Sequence, residues 1–319
     1  MPSPSLRRVL LGVLVLTLST ALTACAGEDR VTLRVGDQVK INQSVLEASG
    51  QLNGLPYDIE WSSFTAGPPL LEAINADAID VGGVGDSPPV LAQAAGIRAK
   101  IVSAQRRENA NDFLLARPGV NIASVADLRG HTVAVAKGSS SHGLLLALLD
   151  EGGVPLSAVT VTYLAPPDAQ SALAAGQVDA WAVWNPYAAV ATAGGARIVA
   201  DGTTATTQQS YIVAAGGALA DGPKSAAIGD FVRRLAAAQD WTAQHPNEWV
   251  PIYARLTNLS PEVARTTFTS SIAHRVVIDD PTIARQQQLA DRFGKAGVIP
   301  AAPDVRAFFD NRFNTGIAP

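Results

Sequence analysis

Short apolar runs alternate with segments of helical spacing along most of this chain. That alternation is the pattern of an α/β fold built on a largely parallel sheet. Thr32–Val35 reads as a first strand and Ile59–Trp61 as a second, with a helix near Ser44–Leu52 between them. A helix over Leu70–Ala76 leads to a strand at Ile79–Gly82. Pro88 and Pro89 open a further helix that runs to about Ala95, before a strand at Ile101–Ser103. The polar stretch Arg106–Asp112 breaks the rhythm. Beyond it, Phe113–Ala116, Thr132–Ala136, Val159–Tyr163, Ala180–Val183 and Arg197–Ala200 read as the strands of a second unit. Helices are expected over Gly143–Asp150 and Asp168–Ala175, with a short capped helix at Ser124–Asp127. The Thr-rich stretch Thr203–Thr207 reads as a return crossing, and Tyr211–Ala215 resumes sheet. From Pro223 onward the spacing over Ile228–Trp241, Pro246–Arg255, Pro261–Ile272 and Pro281–Phe293 predicts helices, each with a start signal. Two α/β lobes joined by two crossings predict a hinged clamshell. Open α/β sheets bind ligands beyond the carboxyl ends of their strands, which here is the interlobe cleft.

The N-terminus follows a different pattern. Arg7 and Arg8 precede an apolar run from Val9 to Leu22, then Thr23, Ala24 and Cys25. A charged start, a short apolar run and small residues make a secretory signal peptide. Leu22-Thr23-Ala24-Cys25 resembles a bacterial lipobox, in which the cysteine becomes the mature N-terminus and carries a diacylglycerol. A lone cysteine in an exported protein has two other uses, a free thiol or a bridge between chains. Two or more acyl chains anchor stably where one barely holds, so the lipid reading tethers the protein to the outer face of the cell membrane. The expected division is residues 1–24 as lipoprotein signal peptide, 25–112 with 208–319 as one lobe, and 113–207 as the other.

Composition narrows the function. The chain has 319 residues, 47% hydrophobic, and no second apolar segment of membrane length. Its formal charge of −4 becomes −6 once Arg7 and Arg8 leave. No basic patch of the kind nucleic acid demands is visible. One cysteine allows no intramolecular disulfide, so a sizeable core must hold the fold, as a monomer. Met1 is the only methionine, so Cys25 carries the one sulfur left after cleavage. Sulfur thrift under shortage and simple codon bias both fit that fact.

Candidate chemistry sits where strands turn into helices. Lys137-Gly138-Ser139-Ser140-Ser141-His142 follows a strand and opens a helix. Free amides at a helix start, serine hydroxyls and the helix dipole together make an anion site; ordinary capping by one serine is the alternative. The run Gly82-Gly83-Val84-Gly85-Asp86-Ser87-Pro88 repeats the design, with Asp86 or Ser87 as helix cap and the Gly85 backbone facing a ligand. Phe64–Pro69, which contains Gly67, is a third such loop, and Gln38 stands beyond the first strand with an amide to donate. Plain loop chemistry explains either equally well. In Asp179–Tyr187, strand alternation puts Trp181 and Trp184 on opposite faces. Trp184, beside the helix-opening Asn185-Pro186, is placed to wall the apolar part of a ligand; burial of both tryptophans in the core is the alternative. His131, His142, His245 and His274 have no metal-ligand spacing, and neighbouring Ser141 and His142 do not make a nucleophile–base pair. No cofactor, metal or catalytic residue is expected.

Phe64 to Gly96, Lys137 to Leu146, Thr162 to Asp168 and Val178 to Tyr187 together resemble the aliphatic sulfonate-binding proteins of ABC importers. These are type II solute-binding proteins, with nitrate- and taurine-binding relatives. The resemblance implies a two-lobed periplasmic-binding-protein fold, capture of a small organosulfonate and delivery to a membrane permease with its ATPase. By position it places Gln38, Gly85, Asp86, Ser139 to His142 and Trp184 around the ligand. Asn185 stands where relatives often have aspartate, and Asp37 where they often have an aromatic residue. A sulfonate is a monoanion with no proton to give, so its site should supply donors only. Nitrate, taurine or a thiamine-precursor pyrimidine are ligands of the same fold, and a lipid-anchored hydrolase using Ser141 and His142 is an alternative of another class.

Cys25 is the sole acylation candidate. Cys25→Ser is expected to abolish lipid attachment and to leave uncleaved or shed protein. Continued incorporation of labelled palmitate would show the lipobox reading to be wrong.

Overall fold

The computed structural model describes residues 30–315. The signal segment and Cys25 lie outside the described residues. The chain starts with β1 (Thr32–Gln38), α1 (Ile41–Ala48), β2 (Asp58–Phe64), α2 (Gly67–Asn75), β3 (Val81–Gly85), α3 (Ser87–Ala94) and β4 (Ala99–Arg107). It then leaves this sheet for β5 (Asp112–Ala116), β6 (Thr132–Val135), α4 (Ser140–Glu151), β7 (Thr160–Tyr163), α5 (Pro166–Ala174), β8 (Ala180–Trp184), α6 (Tyr187–Ala193) and β9 (Arg197–Asp201). It returns through β10 (Gln209–Ala215) and the helices α7 (Gly216–Ala220), α8 (Gly222–Gln244), α9 (Pro246–Thr257) and α10 (Pro261–Ser271). Then come β11 (Ala273–Val276), α11 (Asp280–Lys295) and a closing 3-10 turn at Val305–Phe308.

Two sheets form among the described residues, in the orders β11-β4-β10-β3-β1-β2 and β7-β6-β8-β5-β9. Neither is purely parallel. Strands joined through helices pair in parallel, as in β1 with β2 and β3, and β6 with β7 and β8. Strands that follow a crossing run the other way. β10 is antiparallel to β3 and β4, and β5 to β8 and β9. β11 went unanticipated, whereas α6 is the helix that Asn185-Pro186 was read to open. Ala273–Val276 is a four-residue edge strand with two basic side chains, and Tyr187–Ala193 is an alanine-rich helix directly behind Asn185-Pro186.

Each sheet is buried on both faces. In the second sheet the pleat divides the side chains cleanly. Leu114, Val133, Val135, Ala180 and Ala182 enter one apolar cluster, while Leu115, Ala134, Trp181 and Val183 enter the other. Trp184 departs from the alternation. It is the last residue of β8, and its indole reaches round to the cluster that already holds Trp181, with Tyr187 against both. Another cluster crosses between the sheets: Val90 of α3, Leu146 of α4, and Leu289, Ala290 and Phe293 of α11 pack together. No helix among the described residues is long and apolar enough to cross a membrane.

α4 begins at Ser140 rather than Gly143, so the serine run forms its first turn. Gly138 precedes it at φ +75°, where a Cβ would also lie 2.6 Å from Leu91 of α3. Only glycine satisfies both conditions. His142 in that first turn is buried, edge-on to Tyr163 and Phe293 with ring centroids 5.4 Å away. Its Nδ1 accepts the Gly138 amide at 3.1 Å. Burial, reinforced by the Lys137 charge, lowers its pKa to about 4.

This residue makes a signed prediction. The unfolded chain takes up the proton near pH 6.5 and the folded one only near 4, so stability is lost as pH falls between these values. Going from pH 7 to 5 should cost about 2 kcal/mol through His142 alone. Buried Asp37, raised to about 7, and Asp86, raised to about 6, act with the opposite sign, so the comparison must be with a variant. His142→Asn keeps an acceptor for Gly138 and removes the titration. In denaturant melts it should lose about 2 kcal/mol less than wild type over that range. Equal losses would place the proton uptake elsewhere.

Candidate functional site

Four turns converge between the two sheets: the end of β3, the start of α4, and the crossings on either side of the second sheet. One cleft is lined by Gly85 and Asp86, by Ser139 and Ser140, by Arg107 and Asp112, and by Thr206 to Ile212 without Thr207. Gly85 permits the approach, since a Cβ there would lie 2.9 Å from that of Ser140. Gln38, Gly67, Trp184 and Asn185 line the same cleft. Eight of the ten ligand-site residues anticipated from sequence are thus brought together. Ser141 and His142 are not on its wall; both are buried behind it.

The serine turn divides its labour. Ser139 is the helix cap, its Oγ accepting the His142 amide at 3.3 Å. Ser140 Oγ donates to Asp112 Oδ1 at 2.7 Å, and Ser141 Oγ donates to the same oxygen. A hydroxyl has one proton, so neither serine offers it to the cleft while Asp112 holds it. What α4 does present is its backbone. The amides of Ser140 and Ser141 stand in the first turn, where no intrahelical acceptor exists.

Asp86 or Ser87 was expected to cap α3; Asp86 stands at the N-cap position, but its side chain makes no capping hydrogen bond. Instead, Oδ2 accepts Thr207 Oγ1 at 2.6 Å from the return crossing, and Oδ1 accepts Ser87 Oγ at 3.0 Å. Its carbonyl accepts Gln286 Nε2 at 2.6 Å. Asp86 therefore ties β3, the crossing and α11 together. Burial pushes its carboxyl up to about 6; Thr207 opposes this and Asp112 adds to it. Burial also raises Asp112, against the hydrogen bonds from Ser141 and Ser140 and the Arg107 charge.

Gln38 gives one of its two amide N–H groups to Gly83 O at 2.8 Å, which fixes its side chain and leaves the second N–H as a donor. Asn185 is likewise engaged. Its Nδ2 donates to Ser270 Oγ at 2.6 Å and its Oδ1 accepts the Ala189 amide at 3.0 Å. It links the start of α6 to the end of α10. Trp184 is nearly buried, edge-on to Tyr187 at 5.8 Å, with part of its surface on the cleft. Val39, also on the wall, holds φ +47°, a strained backbone for a β-branched residue.

Sequence reasoning missed Arg107, Gln209 and Gln239, all on the cleft wall. Arg107 closes β4, and the one side-chain hydrogen bond of its guanidinium among the described residues runs from Nη1 to Ser270 O at 3.1 Å. The only warning was the polar break at Arg106–Asp112. The expectation of a wall made of donors alone does not hold, because Asp86 and Asp112 stand on it. The described residues contain no cluster of potential metal ligands. The arrangement can hold a small molecule with an anionic group between a guanidinium and a helix start. Ser141 and His142 do not form a nucleophile–base pair on this wall, since neither lines the cleft.

The family described as NMT1/THI5 like matches residues 67–249. A protein of Escherichia coli (strain K12), provisionally named an aliphatic sulfonates-binding protein, is 35% identical, covering 91% of this chain and 92% of its own length. Among solved structures, the alkanesulfonate-binding protein SsuA from Xanthomonas axonopodis pv. citri, bound to MOPS, has a TM-score of 0.81 at 30% identity, covering 89% of this chain and 100% of its own. The periplasmic aliphatic sulphonate binding protein SsuA from Escherichia coli has a TM-score of 0.77 at 32% identity, covering 90% and 94%. The chain belongs to the NMT1/THI5-like family, on the two-lobed clamshell fold of the periplasmic binding proteins.

Proposed function

We propose that this protein is the solute-binding component of an ABC importer, working outside the cytoplasmic membrane and held there through Cys25. It captures an organic sulfonate between its lobes and presents it to the permease. The observation that carries the reading is Arg107, a guanidinium with one protein partner, in the same cleft as the free amides of α4. A permanent monoanion with several acceptor oxygens suits a fork of N–H donors and a helix start. The sulfonate-binding relatives support the same class, and MOPS is itself a sulfonate.

In this reading Arg107 and the Ser140 amide at the start of α4 hold the head, and Gly85 lets the lobes meet around it. Asp86 and Asp112 fix the loops that carry these groups. Trp184 walls the apolar part of the tail. Gln38 and Asn185 shape the cleft while bonded within the protein, and His142 and Ser141 support it from behind. The role is binding rather than catalysis. In support, the Ser141 proton is committed to Asp112, and His142 Nδ1 is committed to Gly138. The crossings between Arg107 and Asp112 and between Asp201 and Gln209 are where the lobes would rotate.

Calorimetry of the protein lacking residues 1–25 against C1–C8 sulfonates, sulfate and nitrate tests the class. Arg107→Gln should weaken sulfonate binding roughly ten- to a hundredfold, the value of one charge-assisted hydrogen bond. Thermal melting should confirm a folded variant. Unchanged affinity would put the anion away from Arg107.

A further inference from the structure

The cleft wall carries three charged side chains, Arg107, Asp86 and Asp112, which sum to −1 when all are ionised. Both carboxylates are buried. A simple alkanesulfonate would bring the total to −2 in a space of low dielectric, which is costly unless a positive charge enters with it.

The uncharged polar groups point the same way. Gln239 of α8 lines the cleft, and its Oε1 is buried without a hydrogen-bond partner. Gln209 adds a second acceptor. Tyr211 Oη lies 2.6 Å from Gln209 Oε1 and 3.0 Å from Gln286 Oε1. It has one proton to give, and Gln286 is oriented by donating its Nε2 to Asp86 O. The chain closes consistently when Tyr211 donates to Gln286 and the Gln209 amide is turned to donate its N–H to Tyr211. The other atom of that amide, buried without a partner, is then the carbonyl oxygen. A buried acceptor left unpaired is destabilising, and a ligand donor would remove that cost.

We propose that the ligand is zwitterionic: a sulfonate whose tail carries an ammonium, with Gln239 Oε1 as an acceptor for its N–H and the Asp86 and Asp112 carboxylates balancing its charge. This rests on the sulfonate reading above and narrows it to aminosulfonates.

The matched probes are 3-aminopropane-1-sulfonate and propane-1-sulfonate, titrated calorimetrically into the protein lacking residues 1–25. The aminosulfonate should bind at least tenfold more tightly. Gln239→Leu should erase most of that preference and leave propanesulfonate unchanged or tighter, whereas Gln239→Glu should widen it. Propanesulfonate binding as tightly as its amino partner overturns the proposal, as does a preference that neither variant alters. Tight propanesulfonate binding with uptake of a proton, read from buffers of different ionisation enthalpy, overturns it in favour of carboxylate protonation. If the folded protein binds neither probe, the sulfonate reading fails, and this one with it.

Discussion

The return of one strand governs the rest of the molecule. β10 enters the first sheet only after the whole second sheet has been made, and it lies between β3 and β4 with hydrogen bonds to both. All seven of its residues are buried. The first sheet therefore cannot close its core until residues more than a hundred positions apart have met. That long-range pairing delays closure, because loop entropy must be overcome before the contacts form. It also brings the start of β10 beside the end of β3. Ser210 pairs with Gly85, and Gln209 arrives at the cleft as a consequence of sheet register.

The part of the cleft where we propose the anion sits is a balance of opposed charges. Asp112 holds the two serine hydroxyls of α4 and so fixes that helix start against β5. Asp86 does the same for the return crossing through Thr207. Each carboxylate lies where an anion would be repelled, and Arg107 offsets one of them. Such a site discriminates by electrostatic arithmetic as well as by shape, since the same loops that organise the donors set the charge a guest must bring.

Local chemistry was legible in the sequence. The turn Gly138–Ser139 announced a capped helix, and Ser139 caps it. The alternation over Ala180–Val183 announced a buried strand. What stayed hidden is partnership at a distance. The acceptor for Ser140 is 28 residues away, across a change of sheet, so the serines read as free donors when they are not. Arg107 follows an exposed Arg106, and nothing in the pair of residues tells which one turns inward. Gln239 looks like any glutamine on a long amphipathic helix until the sheet beneath it is in place. The strand period failed at Trp184 because a terminal indole is long enough to reach past the edge that the period assumes.

The apolar cluster of α3, α4 and α11 makes the two sides of the molecule unequal. Prising α4 from Phe293, Leu289 and Val90 exposes several large side chains to water, at about 25 cal/mol for each Å². Elsewhere between the lobes, Asn185 beside α6 reaches Ser270 of α10 through a hydrogen bond worth about 0.5–1.5 kcal/mol net. The molecule is therefore less like a shell with two free valves than like a door hung on a greased post and held by a light latch. Work spent in opening it goes into the latch side, where Trp184 stands. If the lobes part for a guest, the contact that Asn185 and Ser270 make is the one that would yield first, because it is polar and small.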